Sequence, residues 1–349
     1  MKSIDYIIVG QGLAGSILSI ELLKNSKKIL LIDDKKLSAS SKVAAGIWNP
    51  IVFKRLTKSW MADELIPFLE NFYSETELLL NNKFIRKIPI AKIFIEEQEK
   101  TLWLKKADVE LSNFLDKSIN KMIDPIKAEY STLRKTGNLD TKLFLKEARN
   151  HFIDQNIFLG ETFNFDELKI NSDQIIYKEF IAEKIIFCEG YKITDNPFFN
   201  WLPMKPAKGD VLTIHCKELE LNMILNKGVF VLPIGNNQFK IGATYNWKDL
   251  NDEPDENAKN ELTDKLKKII PFEFEIINHE SGVRPSVIDR RPVIGFHPEN
   301  QKLGVFNGFG TKAVMLAPYF AKHFCNVLLF NEQLNSEVDT KRFLKYYLN

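Results

Sequence analysis

The sequence predicts an α/β protein: a parallel, doubly wound sheet joined to a second unit of mostly antiparallel strands. Three observations predict it. The apolar run Ile4-Asp5-Tyr6-Ile7-Ile8-Val9 ends in a Gly10-x-Gly12-x-x-Gly15 turn and passes into a helical pattern over 13–24. A second apolar strand, Ile29-Leu30-Leu31-Ile32, follows and stops at Asp33-Asp34. From Val211 onward, short β segments separated by turn residues replace the strand–helix alternation.

Each part of the N-terminal motif has a physical reason. Gly10 permits the tight turn, Gly12 lets backbone approach a phosphate, and Gly15 lets helix and strand pack closely. The helix start then presents unbonded N–H groups where a pyrophosphate would sit. Asp33 follows at the spacing where an acid accepts hydrogen bonds from ribose hydroxyls. Strand, turn, helix, strand and acid all point the same way, toward a bound dinucleotide.

Further along, helical patterns run over 59–80 and 97–114, with a strand-like run near 88–95 between them. Gly137-Asn138-Leu139-Asp140-Thr141 reads as a turn into a helix capped by Asp140 or Thr141. Short strands are expected at 157–159 and 175–177, and a buried strand at 184–188 leads into Glu189-Gly190. Segments 211–215, 229–233 and 239–245 are β, and Gly235-Asn236-Asn237 marks a hairpin between the last two. A charged helix over 256–270 precedes a strand at 274–281. The chain closes with a strand at 303–307, the turn Gly308-Phe309-Gly310 and a long helix.

With 349 residues the chain can bury one large or two medium cores. Its 48 basic and 46 acidic residues give a net charge of +2, no electrostatic reason to expect a nucleic-acid or membrane-surface protein. Three widely spaced cysteines, Cys188, Cys216 and Cys325, suggest a reducing compartment. No metal-ligand spacing occurs among the histidines, and His279 and His297 are expected in loops. The apolar stretch 313–330 is broken by Lys322, His323 and Asn326 and reads as a half-buried helix. The first residues already form a strand, so no secretory signal is expected and the protein reads as cytoplasmic.

Two further motifs bear on chemistry. Ser40-Ser41-Lys42-Val43-Ala44-Ala45-Gly46 is small enough for backbone to approach a flat ring, and Ser41 could donate to a phosphate or ribityl oxygen; a plain surface loop is the other reading. Gly282-Val283-Arg284-Pro285, Asp289-Arg290-Arg291-Pro292 and the Gly308–Lys312 turn form a second glycine-rich helix entry, suited to an electron-rich ring edge.

Taken together, these residues resemble the D-amino-acid-oxidase-type FAD-dependent oxidoreductases, the family of glycine oxidase and sarcosine oxidase. The resemblance is carried by Gly10-x-Gly12-x-x-Gly15 with Asp33, Ser41-x-x-Ala44-Ala45-Gly46, Gly137-Asn138-Leu139-Asp140 and Phe187-Cys188-Glu189-Gly190. It continues through Lys208-Gly209-Asp210, Val231-Leu232-Pro233, Ile241-Gly242-Ala243-Thr244-Tyr245, Gly282-Val283-Arg284-Pro285 and the Gly308 turn. It implies a Rossmann-like FAD-binding domain, discontinuous over 1–80, 139–204 and 283–349. A second α+β substrate domain, built on a mostly antiparallel sheet, would occupy 81–138 and 205–282.

By the same resemblance, Gly10, Gly12, Leu13, Ala14 and Gly15 hold the pyrophosphate of FAD, and Asp33 with Asp34 serve the adenosine ribose end. Ser41, Ala44, Ala45 and Gly46 line the stretch toward the isoalloxazine, and Phe163 meets adenine. Gly190 closes over the cofactor, while Gly308, Gly310, Thr311 and Lys312 cover the flavin's pyrimidine edge, Lys312 adding positive charge. Arg284 pairs with the substrate carboxylate through its guanidinium fork; closing a structural ion pair with Asp289 or a strand end is the other reading of that residue. Thr311 stands where glycine oxidases carry a second carboxylate-directed arginine, which leaves room for a substrate other than a simple amino acid.

Trp48, Asn49, Tyr245 and Trp247 are candidates for the flavin's substrate side, with core packing as the alternative for Trp48 and Tyr245. The implied reaction is oxidation of a C–N bond in a small amine or amino-acid-like substrate by hydride transfer to flavin N5, with oxygen or another electron acceptor. The rivals are an oxidase module acting on a modified tRNA wobble uridine and a flavin-binding protein without turnover.

Overall fold

The computed structural model describes residues 1–34, 40–121, 126 and 128–348. Strand Lys2–Val9 sits at the centre of one sheet, parallel to Ile29–Ile32 on one side and to Phe180–Phe187 on the other. Phe158–Leu159 extends the sheet beyond Ile29–Ile32, and Leu303–Asn307 pairs with the C-terminal half of Phe180–Phe187, both parallel. These strands are nearly continuous apolar runs because helices cover the sheet's faces; Ile7, Ile8, Leu31, Ile32, Ile185, Ile186 and Phe187 are all buried.

Helix Leu13–Lys24 is apolar on nearly every side because it is wedged between that sheet and the C-terminal helix Ala313–Phe330. The latter is long and apolar enough to cross a membrane by length and composition. Here it packs against Leu13–Lys24 and Ala62–Leu79 and buries Val314, Met315, Phe320, Ala321 and Phe324, as a core helix does.

The second sheet runs in the order Glu275–Arg284, Ala207–His215, Gln238–Gly242, Phe230–Gly235, Ile224–Asn226, Ile90–Ile93, Glu129–Leu133, Asn120–Lys121. Among the described residues, only the Ile224–Asn226 and Ile90–Ile93 pair of this sheet is parallel. Helix Glu256–Lys267 lays Leu262 and Leu266 on Leu212, Ile214 and Ile241, closing one face of this sheet. The opposite face turns toward the first sheet. The fold is therefore the expected α/β architecture, a Rossmann-like layer against a mostly antiparallel α+β layer.

Local signals were translated faithfully in several places. The Asp140 carboxylate caps helix Thr141–Asp154 by accepting from the Leu143 amide at 3.0 Å. Asn236 and Asn237 both adopt positive φ, 53° and 54°, as a two-residue hairpin turn requires. Elsewhere tertiary context moved the boundaries. The helix expected over 59–80 is Ala62–Leu79, because Met61 turns left-handed at φ 53°. The one expected over 97–114 stops at Asp108. Within the small-residue stretch after Asp34, Ser40–Val43 forms one helical turn, and Ser38 and Ala39 lie outside the described residues. His279, expected in a loop, stands within strand Glu275–Arg284.

The tightest point of the fold is the N-terminal turn. A Cβ on Gly15 would lie 1.8 Å from the Gly10 carbonyl oxygen, and one on Gly10 would lie 2.6 Å from the Cys188 carbonyl oxygen. Gly12 is less constrained, its nearest neighbour being the Ser41 hydroxyl at 3.2 Å. Gly15→Ala is therefore expected to destabilise by about 3 kcal/mol, the upper end of overpacking costs. Gly12→Ala should cost less than about 1 kcal/mol. Urea denaturation of both variants checks the order; equal losses would contradict it.

Candidate active site

A cavity of about 640 Å³ runs between the two sheets, within the size range of cofactor sites. At one end lies the N-terminus of helix Leu13–Lys24, whose Gly12 cap makes no side-chain hydrogen bond. The Ser41 hydroxyl oxygen instead accepts from the Leu13 amide at 3.1 Å. Ser41, read from sequence as a donor to the ligand, thus also caps the helix from a distant loop.

Asp33 is buried and accepts from the Gln11 amide at 2.9 Å and from Arg149 Nη2 at 3.3 Å. Arg149 Nε in turn donates to Gln11 Oε1 at 2.6 Å, closing a three-membered ring of contacts. Burial raises the Asp33 pKa to about 6, against the lowering pull of the Arg149 charge and the Gln11 amide. Asp34 accepts from the Thr162 hydroxyl at 3.1 Å beside it. Phe163 stacks on Tyr177 at 4.7 Å and forms an aromatic wall at this end.

Midway, Ala44, Ala45 and Gly46 line the cavity, and their backbone is held from behind. The Thr141 hydroxyl donates to the Ala44 carbonyl at 3.1 Å, and a Cβ on Gly46 would meet the Leu139 carbonyl at 1.9 Å. Glu189 also lines the cavity; its carboxylate accepts from Asn196 at 2.7 Å and burial pushes its pKa to about 7. The next residue, Gly190, accepts from Asn307 Nδ2 at 2.9 Å, while Asn307 Oδ1 accepts from the Gly308 amide at 2.7 Å. One asparagine side chain thereby ties the two glycine turns together.

Gly310, Thr311 and Lys312 line the far side. The Lys312 ammonium donates to the Ser59 hydroxyl, and burial, reinforced by the Arg291 charge, lowers its pKa to about 8. Trp48 is buried to 1 % exposure at the cavity wall, and its indole Nε1 has no partner among the described residues. Asn49 lines the cavity too, with Oδ1 engaged by the Ile51 amide at 3.0 Å.

Arg284 ends strand Glu275–Arg284. Asp289, its expected structural partner, pairs instead with Arg342 at 2.8 Å. Among the described residues no carboxylate lies within ion-pair distance of the Arg284 guanidinium. Its Nη1 donates to the carbonyls of Thr244 at 3.2 Å and Lys208 at 3.4 Å. Tyr245 covers it at 4.4 Å from the ring centroid. Burial lowers the Arg284 pKa, but a guanidinium starts so high that it stays charged at neutral pH. Tyr245 is 54 % exposed, so the core-packing reading does not hold; it stacks on Trp247 at the cavity rim.

Of the sequence-predicted site residues, only Gly15 and Gly308 stand back from the cavity, where they allow close packing. Residues that sequence reading missed are Gln11, Arg149, Ser59 and Phe230. Glu189, Gly209 and Gly242 were quoted in motifs without a role. The arrangement suits FAD: a glycine-entered helix start facing the cavity, a buried acid beside it, an aromatic wall, a Trp48 donor with no partner among the described residues, and a second turn carrying Lys312.

Comparison with known proteins agrees. The family model of the DAO FAD-dependent oxidoreductases matches residues 5–327, and the chain belongs to that family. It is thus an FAD-dependent oxidoreductase. Its sequence is 28 % identical to glycine oxidase of Bacillus licheniformis over a stretch covering 36 % of this chain and 35 % of that protein, so the match spans about a third of the relative. It is 20 % identical to the tRNA 5-methylaminomethyl-2-thiouridine biosynthesis bifunctional protein of Marinobacter nauticus, over 98 % of this chain and 59 % of that one. In fold it resembles glycine oxidase from Bacillus cereus, with TM-score 0.78, 18 % identity and 95 % and 96 % of the two chains covered. Iminodiacetate oxidase from Chelativorans gives TM-score 0.76, 16 % identity and coverages of 97 % and 98 %.

If Asp33 receives the ribose hydroxyls, its ionised carboxylate accepts them more strongly than the protonated form, so FAD affinity should fall as pH drops through about 6. Arg149→Met removes the charge that lowers the Asp33 pKa and should move that midpoint upward. Fluorescence titration of apo-protein with FAD across the acid-to-neutral range measures it; a pH-independent affinity would refute it.

Proposed function

We propose that the protein oxidises the C–N bond of an amine or amino-acid-like substrate that carries a carboxylate. The observation that supports this most is Arg284, a mostly buried guanidinium lining the cavity with carbonyl partners and no acid among the described residues. Such a group is well matched to an incoming carboxylate. We assign cofactor binding to 1–80, 139–204 and 283–349, and substrate binding to 81–138 and 205–282.

In this reading the Gly12–Ala14 turn and Ser41 hold the pyrophosphate, Asp33 and Asp34 the ribose end, and Phe163 the adenine. Ala44 to Gly46, Gly190 and the 310–312 turn enclose the ring. FAD, when bound, supplies the acceptor for the hydride that leaves the amine-bearing carbon. Arg284 orients the carboxylate and so fixes which C–H bond is presented. Lys312 adds a second positive charge, held in place by Ser59. Trp48 and its apolar neighbours exclude water.

A second reading is favoured by the stacked Tyr245–Trp247 pair, 54 % and 59 % exposed at the rim, which could carry a nucleobase. It would make the protein a tRNA-modifying oxidase, and the Marinobacter relative is named for tRNA 5-methylaminomethyl-2-thiouridine biosynthesis. The balanced net charge weighs against it. Salt-dependent tRNA binding by the purified protein would favour it over a small-molecule substrate.

Purified protein should be yellow and bleach anaerobically with its amine substrate. Colourless protein that FAD cannot reconstitute would overturn the assignment, and flavin that no amine reduces would leave a binding protein. Arg284→Met should raise KM roughly 30- to 150-fold through loss of a charge-assisted contact worth about 2–3 kcal/mol. Substrate affinity should also fall as pH rises through about 8, where Lys312 loses its proton, and Lys312→Met should abolish that limb. A pH profile of kcat/KM for both proteins checks this.

A further inference from the structure

Arg284 has a floor as well as a cover. A Cβ on Gly209 would fall 2.1 Å from Arg284 Nη2 and 2.4 Å from its Cζ, so the guanidinium lies on bare backbone. Its Nη1 reaches the carbonyls of Lys208 and Thr244, one on each of two adjacent chain segments. Regular pairing between those segments ends at Gly242, opposite Val211. Beyond it, Lys208 and Asn246 exchange backbone hydrogen bonds at 2.8 and 2.9 Å, and the Thr244 amide donates to the Asp210 carbonyl at 3.4 Å. The seat of the cation is therefore built where the ladder has become irregular, and it needs a support other than the ladder.

That support stands on the sheet's other side. Successive residues of a strand point to opposite faces, so with Gly209 and Val211 lining the cavity, Lys208 and Asp210 point away from it. Both are 1 % exposed. Asp210 accepts from the Asp255 amide at 3.0 Å and the Thr244 hydroxyl at 3.4 Å, and its Oδ2 meets His279 Nε2 at 2.9 Å. The same hydroxyl accepts from the Asp210 amide at 2.9 Å, so Thr244 is joined to Asp210 through both side chain and main chain. Lys208 Nζ donates to Asn251 Oδ1 at 2.7 Å, with Asp249 at 3.7 Å. A carboxylate and an ammonium buried this deeply cost stability unless they are well paired. All the partners named here belong to segment 244–255 or to strand Glu275–Arg284, the two segments that meet at the guanidinium.

We infer that Lys208, Asp210, Thr244 and His279 are positioning residues: from behind the sheet they set the two carbonyls that aim the Arg284 guanidinium. They act through Arg284 rather than on the ligand, and the inference rests on the assignment of Arg284 to the carboxylate. Without the Thr244 hydroxyl or the His279 ring, the buried Asp210 carboxylate is left short of a partner. Segment 244–246 then moves to relieve it, and the guanidinium turns out of line with its ligand. A two-pronged contact with a carboxylate depends on that orientation.

The test uses phenylacetate, an unreactive carboxylate, and the absorbance change of the FAD-bound protein. Thr244→Val and His279→Leu should each weaken phenylacetate binding roughly 5- to 20-fold, the range for disturbing a hydrogen bond to a charged group. Thr244→Ser keeps the hydroxyl and should stay within about twofold of the unsubstituted protein. In an Arg284→Met background Thr244→Val and His279→Leu should change affinity by less than about twofold, because the group they position is gone. Single variants that bind like the unsubstituted protein, a Thr244→Ser loss equal to that of Thr244→Val, or losses that persist beside Arg284→Met would overturn the inference while Arg284 keeps its role. Loss of flavin from both single variants would make the network a folding element and overturn it too. Phenylacetate that does not bind the unsubstituted protein, or binds Arg284→Met equally well, would overturn the Arg284 assignment and this inference with it.

Discussion

A side chain at Gly15 would collide with the carbonyl of Gly10, and Gly10 in turn rests on the carbonyl of Cys188. This contact between the first turn, the first helix and the end of strand Phe180–Phe187 sets most of the cavity's geometry. It fixes where the helix N-terminus points and brings Asp33 within reach of the Gln11 amide. It also places the Glu189–Gly190 turn over the same space. From Gly190 the constraint passes through Asn307 to the Gly308 turn, and so to Lys312 near the chain's end. A cofactor site built from opposite ends of the sequence therefore depends on a steric fact local to its first residues.

The cavity so formed collects ionisable groups whose pKa values burial has displaced. Asp33 and Glu189 are raised, Lys312 and Arg284 lowered. For Lys312 and Arg284 an anionic ligand would offset that cost, and for Asp33 and Glu189 hydrogen-bond donors would.

Much of the fold was legible because its signals are local. The strand–glycine–helix entry, the Asp140 cap and the paired asparagines of the hairpin each act over a few residues. The partners of the site residues were not legible. Arg149 meets Gln11 across 138 positions, and Lys312 meets Ser59 across 253. Nothing in the residues around Arg149 or Ser59 marks them for those roles. Phe230 escaped for another reason: its facing is set by pairing register with Gly242, and an isolated Val-Phe-Val run does not reveal it. Tyr245 read equally well as core until the fold left it at the rim. His279 was expected in a loop even though the strand read over 274–281, which contains it, is present as Glu275–Arg284.

We propose that one cavity carries FAD from the Gly10 turn to the Gly308 turn and presents Arg284 to a substrate carboxylate. A crystal structure of the FAD-bound protein with phenylacetate tests it most directly. Density for the pyrophosphate at the Leu13–Ala14 amides, and for the carboxylate on the Arg284 guanidinium, is the expected result. Phenylacetate bound elsewhere, with Arg284 contacting only the Thr244 and Lys208 carbonyls, would contradict it.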